Sequence, residues 1–264
     1  MTTPFTVREL IDGIARRMPP PDPMSTVDTI KWGDPDREVR GVAVTFMATV
    51  EVIRAAREAG ANLLITHEPT FYQHDDPLEW LSEDPIMQAK RALLDEFGMV
   101  VWRLHDGIHR HRPDGIVEGM RAALGWDALP GQPNVYDPGL GTLRELVAHL
   151  KRALQIPVVR VVGDLDMPCG RVGMLVGAHG GRRQMEFFRQ SGVEILLCGE
   201  IAEWETCEYV RDANLLGQRK ALVVLGHSHS EESGMRWLAE WLRSWLPGEL
   251  PVTFLSAGHP FQFV

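Results

Sequence analysis

The chain has 264 residues, 44% of them hydrophobic and 24% charged, which are the proportions of a globular protein long enough for one large or two modest cores. Its formal net charge of −9 excludes a general attraction to nucleic acid or an anionic membrane, and no apolar run reaches the roughly 18–20 residues of a membrane span. Three scattered cysteines, Cys169, Cys198 and Cys207, exclude a disulfide framework or a thiolate zinc knuckle; with an N-terminus that lacks a leader pattern, they point to the cytoplasm.

Thr6 to Glu9 reads as a capping box, and the apolar spacing of Val7, Leu10, Ile11 and Ile14 predicts a helix that Pro19 to Pro23 ends. A strand follows over 41–46, then a helix over 49–59 with Gly60 as its C-terminal cap. The near-continuous apolar run from Asn62 to Thr66 has the form of a buried parallel strand, and it ends in His67-Glu68-Pro69. Asp84-Pro85 opens a helix to Phe97, and Gly98 stops it. The strand over 99–104 ends in His105-Asp106-Gly107-Ile108-His109-Arg110-His111.

Residues 127–141, rich in Pro and Gly, read as a linker, and Thr142 to Glu145 as a second capping box for a helix to Leu154. Strands fit 158–162, 172–176, 194–197, 221–225 and 252–255, with helices over 183–190 and from Glu231 to Trp245. Alternating strands and helices imply an α/β protein with a largely parallel sheet. An internal repeat is also legible. Residues 59–68 match 191–200 at an offset of 132 (192 − 60), and the same offset lays Gly41-Val42-Ala43-Val44 on Gly173-Met174-Leu175-Val176.

The chemistry sits just past three predicted strands, where α/β sheets bind ligands. His67, His105, His109, His111, His227 and His229 all fall there, mixed with Glu68, Asp106 and Glu231. Imidazole with carboxylate suits zinc, iron, manganese, nickel or cobalt. His227 and Glu231 stand four apart at a helix start, so both can face one point; Glu231 would also be favoured there by the helix dipole alone. Gly177-Ala178-His179-Gly180-Gly181 is either a turn that holds an anion on backbone N–H groups or a tight turn with no ligand. Glu200 repeats Glu68. Arg103, Arg110 and Arg112 form a candidate basic pocket, and Trp204, Trp237, Trp241 and Trp245 read as packing or interface residues.

Thr66-His67-Glu68-Pro69-Thr70-Phe71, His105-x-x-x-His109, Gly199-Glu200 and Gly226-His227-x-x-x-Glu231 occur in the order of one family. Over nearly its whole length the chain resembles the NIF-three-like dinuclear metal centre proteins, type-two homologues of GTP cyclohydrolase. With the internal repeat, the chain reads as two intertwined, duplicated α/β halves with mainly parallel or mixed sheets, as in these proteins, one over 1–130 plus 220–264 and the other over 131–219. The resemblance implies a toroidal homo-hexamer with two divalent metal ions per chain, held by His67, Glu68, His109, His227 and Glu231, with His105 nearby. Two departures from the family's pattern bear on the ligand set. Glu68 stands where the family has a second His, and His109 where it has an Asp, so three His and two carboxylates are kept; Asp106 is a rival for the missing Asp. The resemblance makes a metal-dependent hydrolase of a nucleotide-like or other small phosphorylated or cyclic metabolite the leading expectation, with His105 or Asp106 as general base. The alternative is a non-catalytic metal-binding or scaffold protein. No purine-specific motif is present.

Overall fold

The computed structural model describes residues 5–264. In chain order come α1 (Val7–Ala15), β1 (Ile30–Trp32), β2 (Val42–Thr45), α2 (Val50–Glu58) and β3 (Leu63–Thr66). Then follow α3 (Pro85–Glu96), β4 (Val100–Arg103), α4 (Asp106–Arg110), α5 (Gly115–Leu124), β5 (Ala128–Leu129) and β6 (Gln132–Tyr136). Next are α6 (Leu143–Ala153), β7 (Arg160–Val162), β8 (Val172–Leu175), α7 (Gly181–Ser191) and β9 (Ile195–Cys198). A π-helical turn (Glu203–Cys207) leads into α8 (Glu208–Leu215), followed by β10 (Ala221–Val224), α9 (His227–Arg243) and β11 (Val252–Phe254). The chain divides into two compact units, one of residues up to Gly119 with Gly234–Gly258, the other of Met120–Ser233 with His259–Val264. The division falls inside α5 and α9.

The first unit holds a sheet of order β1-β4-β3-β2-β11, parallel except for β1. Every residue of β2, β3 and β4 is buried, which is why these strands read as unbroken apolar runs. Ala43, Leu64 and Val101 alternate onto the face covered by Val52, Ile53 and Ala56 of α2 and by Met87 and Leu94 of α3. The helix starts are set locally. The Thr6 side chain and Glu9 complete a capping box, Thr49 caps α2 on Val52 N–H, and Asp84 caps α3 ahead of Pro85.

The second unit holds a sheet of order β5-β6-β8-β9-β10-β7, in which β8, β9 and β10 are parallel and the rest antiparallel. Leu196, Cys198, Leu222 and Val224 pack there with Phe188 and Val210. The order β7-β10-β9-β8 repeats β1-β4-β3-β2, so the duplication is real at the level of topology. Its register differs from the sequence match by two residues. Val42 pairs Leu63 and Val172 pairs Ile195, so the offset is 132 for the second strand (195 − 63) but 130 for the first (172 − 42).

Three features depart from the sequence reading. Strand β10, assigned there to the half containing the N-terminus, is hydrogen-bonded between β9 and β7 in the second sheet. A strand's pattern reports its burial, not which sheet it joins. The stretch read as a linker contains the antiparallel pair β5–β6, joined through Pro130-Gly131 with Gly131 at φ +73°. Helix α5 and the edge strand β1 gave no clear signal. Trp237, Trp241 and Trp245 are half-buried and stack along one side of α9, with Arg17 over Trp245 at 4.0 Å, so they act as packing residues. No helix of the described residues is long and apolar enough to cross a membrane.

Candidate metal centre

In the first unit, adjacent parallel strands β3 and β4 deliver His67 and His105 to the same sheet edge. The backbone N–H groups of His67 and Glu68 both donate to Phe46 O, at 3.0 and 2.8 Å, which turns the chain sharply after β3 and lets adjacent side chains serve one site. His67 is fully buried. Its ring stacks on that of His105 at 4.6 Å, and the His109 ring lies 5.1 Å from His67 and 5.0 Å from His105. These three histidines each offer a ligand nitrogen, all within 4.8 Å of one another.

The imidazoles are oriented from behind. His67 Nδ1 faces Leu104 O at 3.3 Å, His105 Nδ1 faces Asp106 Oδ1 at 3.0 Å, and His109 Nδ1 faces Asp114 Oδ2 at 3.0 Å. An acceptor at each Nδ1 holds the proton there and makes Nε2 the ligating nitrogen, the usual arrangement behind metal-binding histidines. The donor set therefore fits a divalent transition metal. Burial lowers the His105 pKa to about 4, helped by His67 and His109 and opposed by Asp106 and Glu68.

Helix α4 is short, and His105 at its N-cap makes no side-chain capping bond. Asp28 substitutes from far along the chain. Its carboxylate accepts from His105 N (2.7 Å), Asp106 N (2.8 Å) and Gly107 N (2.7 Å), so it holds the turn that carries His105. Burial raises the Asp28 pKa against the pull of these three bonds. Glu68 is also buried; its Oε2 pairs with Arg103 at 3.1 Å and its Oε1 lies 3.8 Å from His105 Nε2. Arg103 is thus fully buried beneath the site and takes no part in a surface basic pocket, whereas Arg110 and Arg112 are exposed. The loop after Pro69 is pinned by Asp76, which accepts from Thr70 N and Phe71 N, and by Lys90, which donates to Thr70 O. It carries His74, exposed, with its ring 6.0 Å from that of His105.

In the second unit, His227 opens α9 and its Nε2 lies 3.0 Å from Glu231 Oε2, one turn on. His227 Nδ1 faces Glu200 Oε1 at 2.9 Å, so Glu200 plays the supporting part that Asp106 and Asp114 play in the first unit. This pair follows β10, so the histidine clusters expected on one sheet edge lie on the edges of two sheets. Two glycines make room for it. A Cβ on Gly177, at φ +77°, would lie 2.2 Å from Glu231 Oε1, and one on Gly199 would meet Gly177 O and Ser230 Oγ. The start of α7 already holds an anion of the chain's own, because Glu205 accepts from Gly181 N at 2.9 Å.

Within the first unit, then, the structure brings His67, Glu68, His105, Asp106 and His109 together; within the second, it pairs His227 with Glu231. The family model of Duf34/NIF3 (NGG1p interacting factor 3) matches residues 6–260. The chain belongs to this family. Among its relatives, the GTP cyclohydrolase 1 type 2 homolog of Clostridium perfringens is 22% identical over 250 residues, covering 88% of this chain and 89% of that one. Of solved structures, Staphylococcus aureus protein SA1388 superposes with TM-score 0.79 at 18% identity, covering 99% of this chain and all of that one. The Bacillus cereus protein related to NIF3 superposes with TM-score 0.74 at 17% identity over the full length of both chains. The NIF3 fold is therefore kept at low identity. Asp28, Arg103 and His74 are neighbours of the candidate site that sequence motifs did not expose.

The pKa of His105 predicts a pH dependence for the metal-free protein. The imidazole is neutral in the fold down to about pH 4, whereas an unfolded one protonates near 6.5. The unfolded chain binds the extra proton, so stability present above 6.5 is lost as the pH falls toward 4. Denaturant unfolding across this window should show that slope in the wild type and a shallower one in His105→Gln; identical slopes would contradict it.

Proposed function

We propose that the chain is a divalent-metal-dependent hydrolase that acts on a nucleotide-like or other small phosphorylated or cyclic metabolite. The observation that carries this reading is the trio His67, His105 and His109, with ligand nitrogens within 4.8 Å and an acceptor behind each ring. Following the family resemblance, we take His67, Glu68 and His109 as ligands in the first unit and His227 and Glu231 in the second; the clustering of His105 with His67 and His109 adds it to the first set. Two ions per chain, of zinc, iron, manganese, nickel or cobalt, suit that mixture of imidazole and carboxylate. Such ions supply Lewis acidity and acidify a water when bound.

The chain's own groups then divide the remaining work. His105 belongs with the ligands, which leaves Asp106, whose Oδ1 faces His105 Nδ1 at 3.0 Å, as the remaining general-base candidate. Burial pulls the Asp106 pKa up, but hydrogen bonds from His105, Thr26 and Val27 outweigh it and hold the pKa below the ordinary value, so the carboxylate is ionised at neutral pH. The name of the Clostridium perfringens relative makes GTP the first substrate to try. We also propose a closed oligomer, a hexamer in the family's manner; Trp204, Leu215 and Leu216 are each more than three-quarters exposed and supply apolar surface for contacts between chains. Light scattering that gives a monomer mass across a tenfold concentration range would refute the oligomer.

The test of function is metal analysis of protein purified without added metal, followed by a hydrolase screen of nucleotides and phosphorylated metabolites. The expected result is near two metal ions per chain and turnover that chelation abolishes. Bound metal without turnover of any substrate class would favour a non-catalytic metal-binding protein; no metal after growth in metal-replete medium would refute the reading.

A further inference from the structure

We infer that Arg103 turns Glu68 into a charge-neutral, single-oxygen metal ligand, the electrostatic equivalent of the histidine that the family pattern has at this position. The inference rests on the metal reading above and concerns how this chain accommodates its departure from that pattern. Thr66 and Arg103 are register partners on β3 and β4, so the Arg103 side chain lies beside the turn that carries His67 and Glu68. The guanidinium is fully buried and spreads its donors over three acceptors. Nε donates to His67 O at 2.8 Å, one terminal nitrogen donates to His74 O, and the other pairs with Glu68 Oε2 at 3.1 Å.

A buried guanidinium needs a counter-charge, and Glu68 supplies one. The pairing consumes one oxygen and cancels one charge. What faces His105 Nε2, 3.8 Å away, is Oε1. A carboxylate that chelates one ion, or bridges two through separate oxygens, uses both oxygens, and Oε2 is already paired with Arg103. A histidine offers one donor atom and no charge; the Glu68–Arg103 pair offers the same. Beside the imidazoles of His67, His105 and His109 the pair adds an oxygen donor but no net charge, which favours borderline ions such as Zn²⁺ or Co²⁺ over the harder Mg²⁺ or Mn²⁺. Arg103 also ties the backbone of His67 and His74, so it acts as a positioning residue for both sides of the site.

The test is a Co²⁺ titration followed by visible absorption, with Mn²⁺ competition, on wild type, Glu68→His, Arg103→Met and the double variant. Glu68→His leaves Arg103 an uncompensated cation beside the metal and should weaken Co²⁺ binding by about 10–100-fold, the usual cost of losing an outer partner. Removing the cation as well, in Glu68→His with Arg103→Met, should restore most of that loss. Arg103→Met alone frees both oxygens and the full charge of Glu68, and should shift preference toward Mn²⁺. Glu68→His binding as tightly as wild type, or a double variant no tighter than Glu68→His, would overturn the inference. Circular dichroism and thermal melts check folding. If the Arg103 variants do not fold, the zinc-loaded wild-type structure decides instead. Oε1 alone on the ion with Oε2 on Arg103 supports the inference; both oxygens on metal, or neither, overturns it. A wild type that binds no Co²⁺ would refute the metal reading itself, whereas tight wild-type binding without this charge coupling would refute only the part assigned to Arg103.

Discussion

Asp28→Ala is expected to destabilise the metal-free protein by roughly 3–5 kcal/mol, because three backbone N–H groups lose their acceptor at once and each costs about 1–3 kcal/mol when left unsatisfied. The three bonds, at 2.7, 2.8 and 2.7 Å, supply the capping that α4 lacks. The site is half-open, so water will satisfy part of the deficit, and the loss falls below the simple sum. Asp28→Asn keeps one acceptor oxygen but not the charge, and should cost about 1–2 kcal/mol, in keeping with the greater strength of charge-assisted bonds. Metal affinity should fall in parallel, by about 10–100-fold, because His105 loses the turn that aims it. Denaturant unfolding and a metal titration check both. An alanine variant within about 0.5 kcal/mol of wild type, the range of surface changes, would show that α4 does not depend on Asp28.

The second large effect is expected at Gly199. Its Cβ would stand 2.4 Å from Gly177 O, 2.6 Å from Gly177 N and 2.5 Å from Ser230 Oγ. Two of these neighbours are backbone and cannot swing aside, so Gly199→Ala must part β8 from β9 at their carboxyl ends or push α9 outward. Overpacking of this kind costs about 1–3 kcal/mol and more where backbone must move. The functional loss should exceed the loss of stability. Ser230 Oγ accepts from Gly177 N at 2.9 Å and donates to His227 O at 2.7 Å, so the displacement travels directly to His227 and Glu231. Gly177→Ala should act more locally, by driving Glu231 from its place and straining a positive φ. Metal occupancy of each variant, read beside its melting temperature, checks the order. Full occupancy in Gly199→Ala would contradict it.

These two positions also mark what the sequence could and could not disclose. His227 and Glu231 were legible because one helical turn brings them together, and no tertiary knowledge is needed for that. His67, His105 and His109 were legible because buried parallel strands announce themselves as apolar runs and ligands gather past their ends. Asp28 and Arg103 were not. Asp28 stands 77 residues from His105 and has no motif of its own. Arg103 closes an apolar strand, where its charge reads as a surface feature until Glu68 is found against it. His74 sits in a loop whose shape depends on Asp76, Lys90 and Arg103, three contacts distant in sequence or hidden in a turn. The repeat was visible, but its two-residue slip was not. Gly41 and Gly173 align as letters, while hydrogen-bond register places Val172 where Val42 stands. Side chains alternate with period two, so a two-residue slip keeps every strand face and leaves no mark on the hydrophobic pattern.

The most direct measurement is anomalous diffraction from crystals of the metal-loaded protein, recorded on both sides of the absorption edge of the metal found by analysis. A peak is expected about 2.0–2.1 Å from Nε2 of His67, His105 and His109, the span of zinc–imidazole bonds, with Nδ1 of each ring still on its acceptor. A peak bound through Nδ1, or no peak among these three rings in a fully loaded crystal, would contradict it.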